Sequence, residues 1–177
     1  MSDPRGRAVR EDRSRTLPAM QTGRRLGGYA LLDALGAGAM GAVWRARVER
    51  PDHGLPVGAV VAVKVLHPQV LERPGAFERF RREADLGRSI DHPNVVRTFG
   101  ASSEHVDGGA AHFLVMEYVH GQTLAALGRE LGRLPEELLV HVAREVASGL
   151  GAIHAAGAIH RDLKPENVLV TDDHQVK

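Results

Sequence analysis

The rhythm of apolar and polar positions changes as the chain is read. Tyr29-Ala-Leu-Leu-Asp-Ala-Leu35 predicts a strand that runs into Gly36-Ala-Gly-Ala-Met-Gly41, and Ala42-Val-Trp-Arg-Ala-Arg-Val48 predicts a second. Two strands joined by a glycine-rich turn form a hairpin. Residues 49–58 hold Pro51, Gly54, Pro56 and Gly58, which is loop chemistry. Val60-Val-Ala-Val-Lys-Val-Leu66 is a β-branched third strand. A helix follows, started by Pro74, with Phe77, Phe80, Ala84 and Gly87 or Arg88 at helical spacing. Val95–Phe99 and His112–Tyr118 predict two further strands around a turn at Gly108 and Gly109. Beyond Gly121 the periodicity turns helical, first over Leu124–Leu131. A longer helix opens at Pro135, with Glu136 and Glu137 at its positive end. Its apolar positions Leu138, Leu139, Val142, Val146, Leu150 and Ile153 repeat at three and four, and Gly157 closes it. A polar loop over 160–167, a strand at Val168–Val170, a turn at Asp172-Asp173 and the opening of another strand at 175–177 complete the pattern. The expected class is therefore α+β: a five-stranded antiparallel sheet with one helix, then a helical part too short to build its own core.

Composition changes this picture at one end only. The chain has 177 residues, 43% of them hydrophobic, and a formal net charge of +1, so nothing global points to nucleic acid or an acidic membrane surface. Residues 1–27, however, hold seven arginines against Asp3, Glu11 and Asp12, a net of +4. That segment is expected to be a disordered basic leader, because it has too little apolar surface to offset the entropy of ordering. A docking arm is the sharper alternative. There is no cysteine, which excludes disulfides and thiolate chemistry and points to a reducing, cytoplasmic setting. No apolar run approaches the ~20 residues needed to cross a bilayer, and no apolar stretch follows the basic N-terminus as a secretory signal requires.

Four features carry chemistry. Gly36-x-Gly38-x-x-Gly41-x-Val43 lets backbone N–H groups approach phosphate oxygens. The same pattern serves dinucleotide-binding folds, but there a helix follows, whereas the residues after Gly41 read as a strand. Lys64 stands in the middle of the apolar strand, where a buried ammonium needs a partner; otherwise it is an edge lysine facing water. Glu83, on the next helix, is the candidate partner; alone it reads as a solvated helix carboxylate. The most specific feature is His160-Arg-Asp-Leu-Lys-Pro-Glu-Asn167. An aspartate with an asparagine five residues on can hold a hydroxyl nucleophile and a Mg²⁺ ion from one loop, and Lys164 lies where a point charge steadies a transferring phosphoryl group. The bland alternative, a polar turn, does not account for every fixed position of the signature being present. The other histidines show no metal-ligand spacing.

Together these four features resemble the protein kinase family, and Lys164 together with the style of the motifs is similar to its bacterial serine/threonine-type members. The likeness runs from Tyr29 to the last residue and includes Asp91-His-Pro-Asn-Val-Val96. It implies a small N-lobe over about 28–119 and the start of a helical C-lobe over 120–177. It implies ATP and Mg²⁺ as cofactors and protein serine or threonine hydroxyls as substrates. Residue by residue, Gly36, Gly38 and Gly41 would cover the phosphates, with Met40 at the flap tip. Lys64 would hold the α- and β-phosphates and pair with Glu83. Leu35, Val43, Ala62 and Leu169 would line the adenine site, Met116 its back, and Glu117 to Val119 would offer backbone groups to the adenine edge. Asp162 would receive or orient the hydroxyl proton, Lys164 would meet the γ-phosphate, and Asn167 would ligate Mg²⁺. His160 would pack and Arg161 would meet a phosphate of the activation loop.

The family pattern continues past a strand like 175–177 with Asp-Phe-Gly, whose aspartate is the main Mg²⁺ ligand. The sequence ends before that triplet, and by the same resemblance the activation loop and the peptide platform would follow it. The expected consequence is an exposed apolar face on the 135–156 helix. Two explanations stand: a piece of a longer kinase, or a natural end, in which case no transfer and at best weak ATP binding are expected. Small-molecule phosphotransferases of kinase-like fold are the nearest competing enzyme class, and Leu163-Lys-Pro-Glu166 argues against them. A non-enzymatic, pseudokinase-like binding module is the third reading; Lys64, Asp162 and Asn167 speak against it, and the missing Mg²⁺ aspartate speaks for it.

Overall fold

The computed structural model describes residues 22–71, 75–106 and 109–177. A six-stranded antiparallel sheet comes first. Its strands are β1 (Arg25–Leu26), β2 (Tyr29–Gly38), β3 (Gly41–Val48), β4 (Val60–Leu66), β5 (Thr98–Val106) and β6 (Gly109–Glu117), in the order β1-β2-β3-β4-β6-β5. A short α1 (Pro68–Leu71) and the longer α2 (Ala76–Ser89) connect β4 to β5. The second part holds β7 (Gly121–Thr123), α3 (Leu124–Leu131), α4 (Glu136–Ala155), a 3-10 turn at Pro165–Asn167 and β8 (Leu169–Thr171).

Alternation decides what each face of the sheet does. Side chains directly opposite in an antiparallel pair share a face. Trp44 opposes Val63, Ala46 opposes Val61, and Val63 opposes Val115, so these residues form one surface. With Leu26, Tyr29, Leu31, Val48, Val65, Ala111 and Phe113 they make the first core, all at most 8% exposed. Val43 opposes Lys64 and Ala62 opposes Met116, so these four share the other face. One strand thus supplies valines to the core and Ala62 and Lys64 to the opposite surface.

The loop at 49–58 folds back on this core. The Tyr29 hydroxyl donates to Asp52 Oδ2 at 2.9 Å, and the Tyr29 ring meets Phe113 edge-on at 5.9 Å. Burial first, and Asp52 second, push the Tyr29 phenol above its ordinary range, so it remains a donor.

Several expectations need correction. Most of the expected leader, residues 1–21, lies outside the described residues, but residues 22–27 belong to the fold. Leu26 is fully buried and Arg25-Leu26 pairs with Tyr29-Ala30, because a single apolar residue in register suffices to extend a sheet edge. The sheet accordingly has six strands where five were expected. Pro74 lies outside the described residues, and α2 begins at Ala76 after Gly75 in the left-handed region. Val95–Arg97 is not strand; Val95 and Val96 line a cleft against α4, and β5 starts at Thr98. The turn expected at Gly108–Gly109 sits within a longer hairpin, and Gly108 lies outside the described residues. The short β7 was not read at all. It pairs with β8, and a side chain at Gly121 would collide with the carbonyl oxygen of Val170.

The second part does build a small core, of Val142, Val168, Val170 and Val176 with Leu124, Leu127, Leu138 and Val146 around it. Residues 175–177 complete the expected hairpin: Leu169 and Lys177 exchange backbone hydrogen bonds at 2.8 and 2.9 Å. At the end of α4, Gly157 has φ 77° and its N–H bonds to His154 O, while Ala158 N–H reaches back to Ile153 O. This six-to-one closure needs a left-handed residue, which glycine adopts at no steric cost. Of the apolar positions expected to be exposed on the 135–156 helix, Leu139 is 46% exposed, whereas Leu138, Val146, Leu150 and Ile153 are half-buried and Val142 is buried against the small core. No helix among the described residues is long and apolar enough to cross a membrane.

Candidate active site

The glycine-rich hairpin closes with Gly38 opposite Gly41 and with Ala39 and Met40 at the tip. Met40 is 61% exposed, and its carbonyl accepts from the His67 N–H at 3.0 Å, while the His67 ring donates to Gly38 O at 3.1 Å. The three glycines differ in what they need. A Cβ at Gly41 would collide with the Val65 carbonyl, so packing alone demands glycine there. At Gly36 and Gly38 an added Cβ would meet nothing within 4 Å, and neither has positive φ. Nothing in the fold itself requires glycine at these two positions. Close approach of a ligand to the bare backbone would require it.

Beneath the hairpin, strand register gathers Val43, Ala62, Lys64 and Met116 on one face. Leu35, on β2 just before the glycines, is 47% exposed, and Leu169 is half-buried on β8. Tyr118 and Val119 make no backbone–backbone hydrogen bond among the described residues, which leaves their amide groups open to a ligand. Lys64 is half-buried with no carboxylate within 4.0 Å among the described residues. Glu83 is exposed on α2, and the helix packs on β5, where Gly87 lies against Thr98. Lys64 stands on β4, which β6 separates from the β5 strand that α2 packs against, and the structure does not bring the two residues into an ion pair.

The polar loop is the tightest assembly. Arg161 has φ 62°, and Asp162 N–H bonds to His160 O at 2.9 Å, which turns the loop sharply. Lys164 Nζ lies 2.9 Å from Asp162 Oδ1. Asn167 Nδ2 donates to the Asp162 carbonyl at 2.8 Å and to its Oδ2 at 2.9 Å. The 3-10 turn at Pro165–Asn167 makes this reach possible by bringing residue 167 back over 162. The bond from Lys164, then that from Asn167, hold the Asp162 carboxyl below the usual carboxylate range. His160 was expected to pack; it is exposed, at the edge of the cleft beside α4.

Several contributors were missed in the sequence. Glu117 was assigned only for its backbone, yet its carboxylate takes Lys177 Nζ on both oxygens at 2.8 Å and the Arg97 N–H at 3.1 Å. Glu117 opposes Val61, so its side chain leaves the Met116 face and ties the end of β6 to the hairpin at 177. Asn94 donates to Glu145 Oε2 at 2.7 Å and to Val176 O at 2.9 Å, and Gly149 leaves room for it: a Cβ there would lie 2.7 Å from Asn94 O. No local sequence signal marks contacts that span 51 to 82 residues. Lys177→Ala should lower stability by about 1–2 kcal/mol, less than for a fully buried pair because the Glu117 side chain is 30% exposed. Thermal unfolding would show this as a midpoint a few degrees lower.

The protein kinase domain family matches residues 29–177. A serine/threonine-protein kinase of Corynebacterium glutamicum, PknA, is 39% identical over 152 residues, covering 84% of this chain and 31% of that protein. Pkn2 of Myxococcus xanthus is 40% identical over 147 residues, covering 82% of this chain and 16% of its own length. Among solved structures, the Mycobacterium tuberculosis PknI kinase domain superposes with a TM-score of 0.72 at 29% identity, covering 89% of this chain and 61% of that one. The chain thus spans a third or less of these curated relatives. A glycine hairpin over a lysine-bearing sheet face, an ordered Asp162–Lys164–Asn167 loop and these matches lead to one conclusion: the chain belongs to the protein kinase family, in its bacterial serine/threonine-type branch.

Proposed function

We propose that this chain forms the nucleotide-binding and phosphoryl-accepting side of a serine/threonine protein kinase, over an N-lobe at about 28–119 and a C-lobe portion at 120–177. The observation that carries the reading is the Asp162 carboxylate held between Lys164 and Asn167 at 2.9 Å on each side. ATP would lie with its adenine between Val43, Ala62, Leu35 and Leu169, against Met116 and the backbone of Glu117–Val119. Lys64 and the N–H groups of Gly36, Gly38 and Gly41 would hold the phosphates. The substrate serine or threonine oxygen attacks the γ-phosphorus as the bond to the β–γ bridging oxygen breaks. ADP leaves, and the hydroxyl proton passes to Asp162. Lys164 sits where it can move from Asp162 to the γ-phosphate as charge gathers there.

The family uses Mg²⁺. Asn167 spends its amide N–H groups on Asp162, which leaves its carbonyl oxygen free as a hard ligand. No group of three or more acidic or histidine side chains converges among the described residues. Asn167 would hold the ion together with phosphate oxygens, and the bound ion would neutralise charge on the phosphates. Without a cysteine or an apolar span among the described residues, we place the reaction in a reducing, cytoplasmic setting.

A second reading, an ATP-binding module without transfer, is favoured by one observation: Lys64 and Glu83 are not paired. Labelled γ-phosphate transfer to a serine/threonine protein substrate, beside nucleotide-binding calorimetry, separates the two. Transfer that disappears in Lys64→Ala supports the kinase. Binding without transfer supports the module. Nucleotide binding undiminished by Lys64→Ala overturns both.

The loop also makes a pH prediction. Asp162 must be ionised to take a proton, and Lys164 is the largest cause of its lowered pKa. Lys164→Ala should therefore move the Asp162 pKa upward, toward the ordinary value near ~4. Carboxyl carbon NMR titration reads this directly, and an unmoved pKa would show that Lys164 does not hold the group.

A further inference from the structure

The nucleotide-facing surface of the sheet carries a charged residue that the reaction leaves unused. Arg45 lies two residues beyond Val43 on β3, directly opposite Ala62 on one side and Asp33 on the other. By register it shares the face of Val43, Ala62 and Lys64. Its Nη2 donates to Asp33 Oδ1 at 2.7 Å, and its guanidinium lies 5.9 Å from the centre of the Tyr118 ring. The Arg45 side chain is 38% exposed, yet its Nε is covered and has no hydrogen-bond partner. Asp33 stands three residues before Gly36, at the root of the flap. Tyr118 is the residue after Met116 and Glu117, where the chain leaves β6. Arg45 therefore links the root of the glycine hairpin, through Asp33, to the segment expected to hold the adenine edge, through Tyr118.

We propose that Arg45 is a positioning residue for the nucleotide: it sets the separation between the glycine hairpin and the Tyr118 segment, and so the height of the cleft that receives adenine. The proposal rests on the nucleotide-binding reading above. The physical basis is a flat cation that can accept an ion pair in its plane and a ring on its face at once. A lysine could keep the first contact and lose most of the second. Because Asp33, Arg45 and Tyr118 act in series, removing any member should release the same coupling. Effects at sites acting independently would add instead.

Two measurements on the whole chain test this. The first is affinity for a fluorescent ATP analogue. Arg45→Ala and Asp33→Ala should each weaken binding by about three- to tenfold, the double variant no more than either alone, and Arg45→Lys should recover part of the loss. The second is hydrogen exchange, which needs no nucleotide. The peptides spanning 31–38 and 117–120 should lose protection together in Arg45→Ala, while the core peptides around 61–65 and 113–115 keep theirs. Protection lost in the core as well would mean simple unfolding and would overturn the proposal, as would additive losses in the double variant or unchanged exchange in both segments. If the unaltered chain binds no nucleotide, the kinase reading fails, and the exchange result alone decides the role of Arg45.

Discussion

Phe113→Ala should cost about 3–5 kcal/mol, a large share of the roughly 5–15 kcal/mol by which a folded domain is stable. Phe113 is 1% exposed at the centre of the first core, flanked on its own strand by Ala111 and Val115. Its ring also meets Tyr29 edge-on, at an interplanar angle of 77°, a contact that adds to area burial. Truncation removes the ring and leaves a cavity that strands bound by ladder hydrogen bonds cannot collapse into. Thermal unfolding followed by the fluorescence of Trp44, the sole tryptophan and a member of the same core, should show a midpoint lower by roughly 6–20 °C or no folded baseline at all. Val57→Ala, at a residue 61% exposed, should change stability by under about 0.5 kcal/mol and serves as control. A Phe113→Ala chain melting with the control would show that the sheet core is not the stabilising unit.

Asp162→Asn should lower phosphate transfer by about 10²- to 10⁴-fold, the usual value of a positioned general base. The substitution keeps the size of the side chain but exchanges one acceptor oxygen for an N–H donor. Lys164 Nζ, which now finds a carboxylate oxygen at 2.9 Å, and Asn167 Nδ2, which finds the other, are both donors and would compete for one remaining oxygen. Asp162 is exposed, so folding should be little affected, and the loss would be chemical. Paired transfer assays and melting curves separate these effects. A slow variant with an unchanged melt is the expected result, whereas retained transfer would remove Asp162 from the proton's path.

The chain's own residues specified a great deal of this protein. Strand alternation around Val61, Val63 and Val65 fixed which face of β4 would be core. It fixed with equal certainty that Lys64 would face the other way, because a period of two leaves no alternative. The glycine spacing, Pro135 and Gly157 placed turns and helix ends through local torsional preferences. The eight residues from His160 to Asn167 carried the Asp162–Lys164–Asn167 assembly, since contacts five residues apart or closer form within one loop. What the sequence left open are the contacts between distant segments. Leu26 joined the sheet although its neighbours read as a leader, because burial depends on what stands opposite and not on local composition. Val95 and Val96 had strand propensity, yet they lie outside any strand and line a cleft with residues of α4, an arrangement set by tertiary context and not by propensity. The pairing of Glu117 with Lys177, the anchoring of Asn94 under Gly149, and the link from Asp33 through Arg45 to Tyr118 were decided only by the fold. The distance between Lys64 and Glu83 was too, for it depends on how α2 lies against β5. Local periodicity determines which residues face a site; the packing of elements far apart in the chain determines which of them touch.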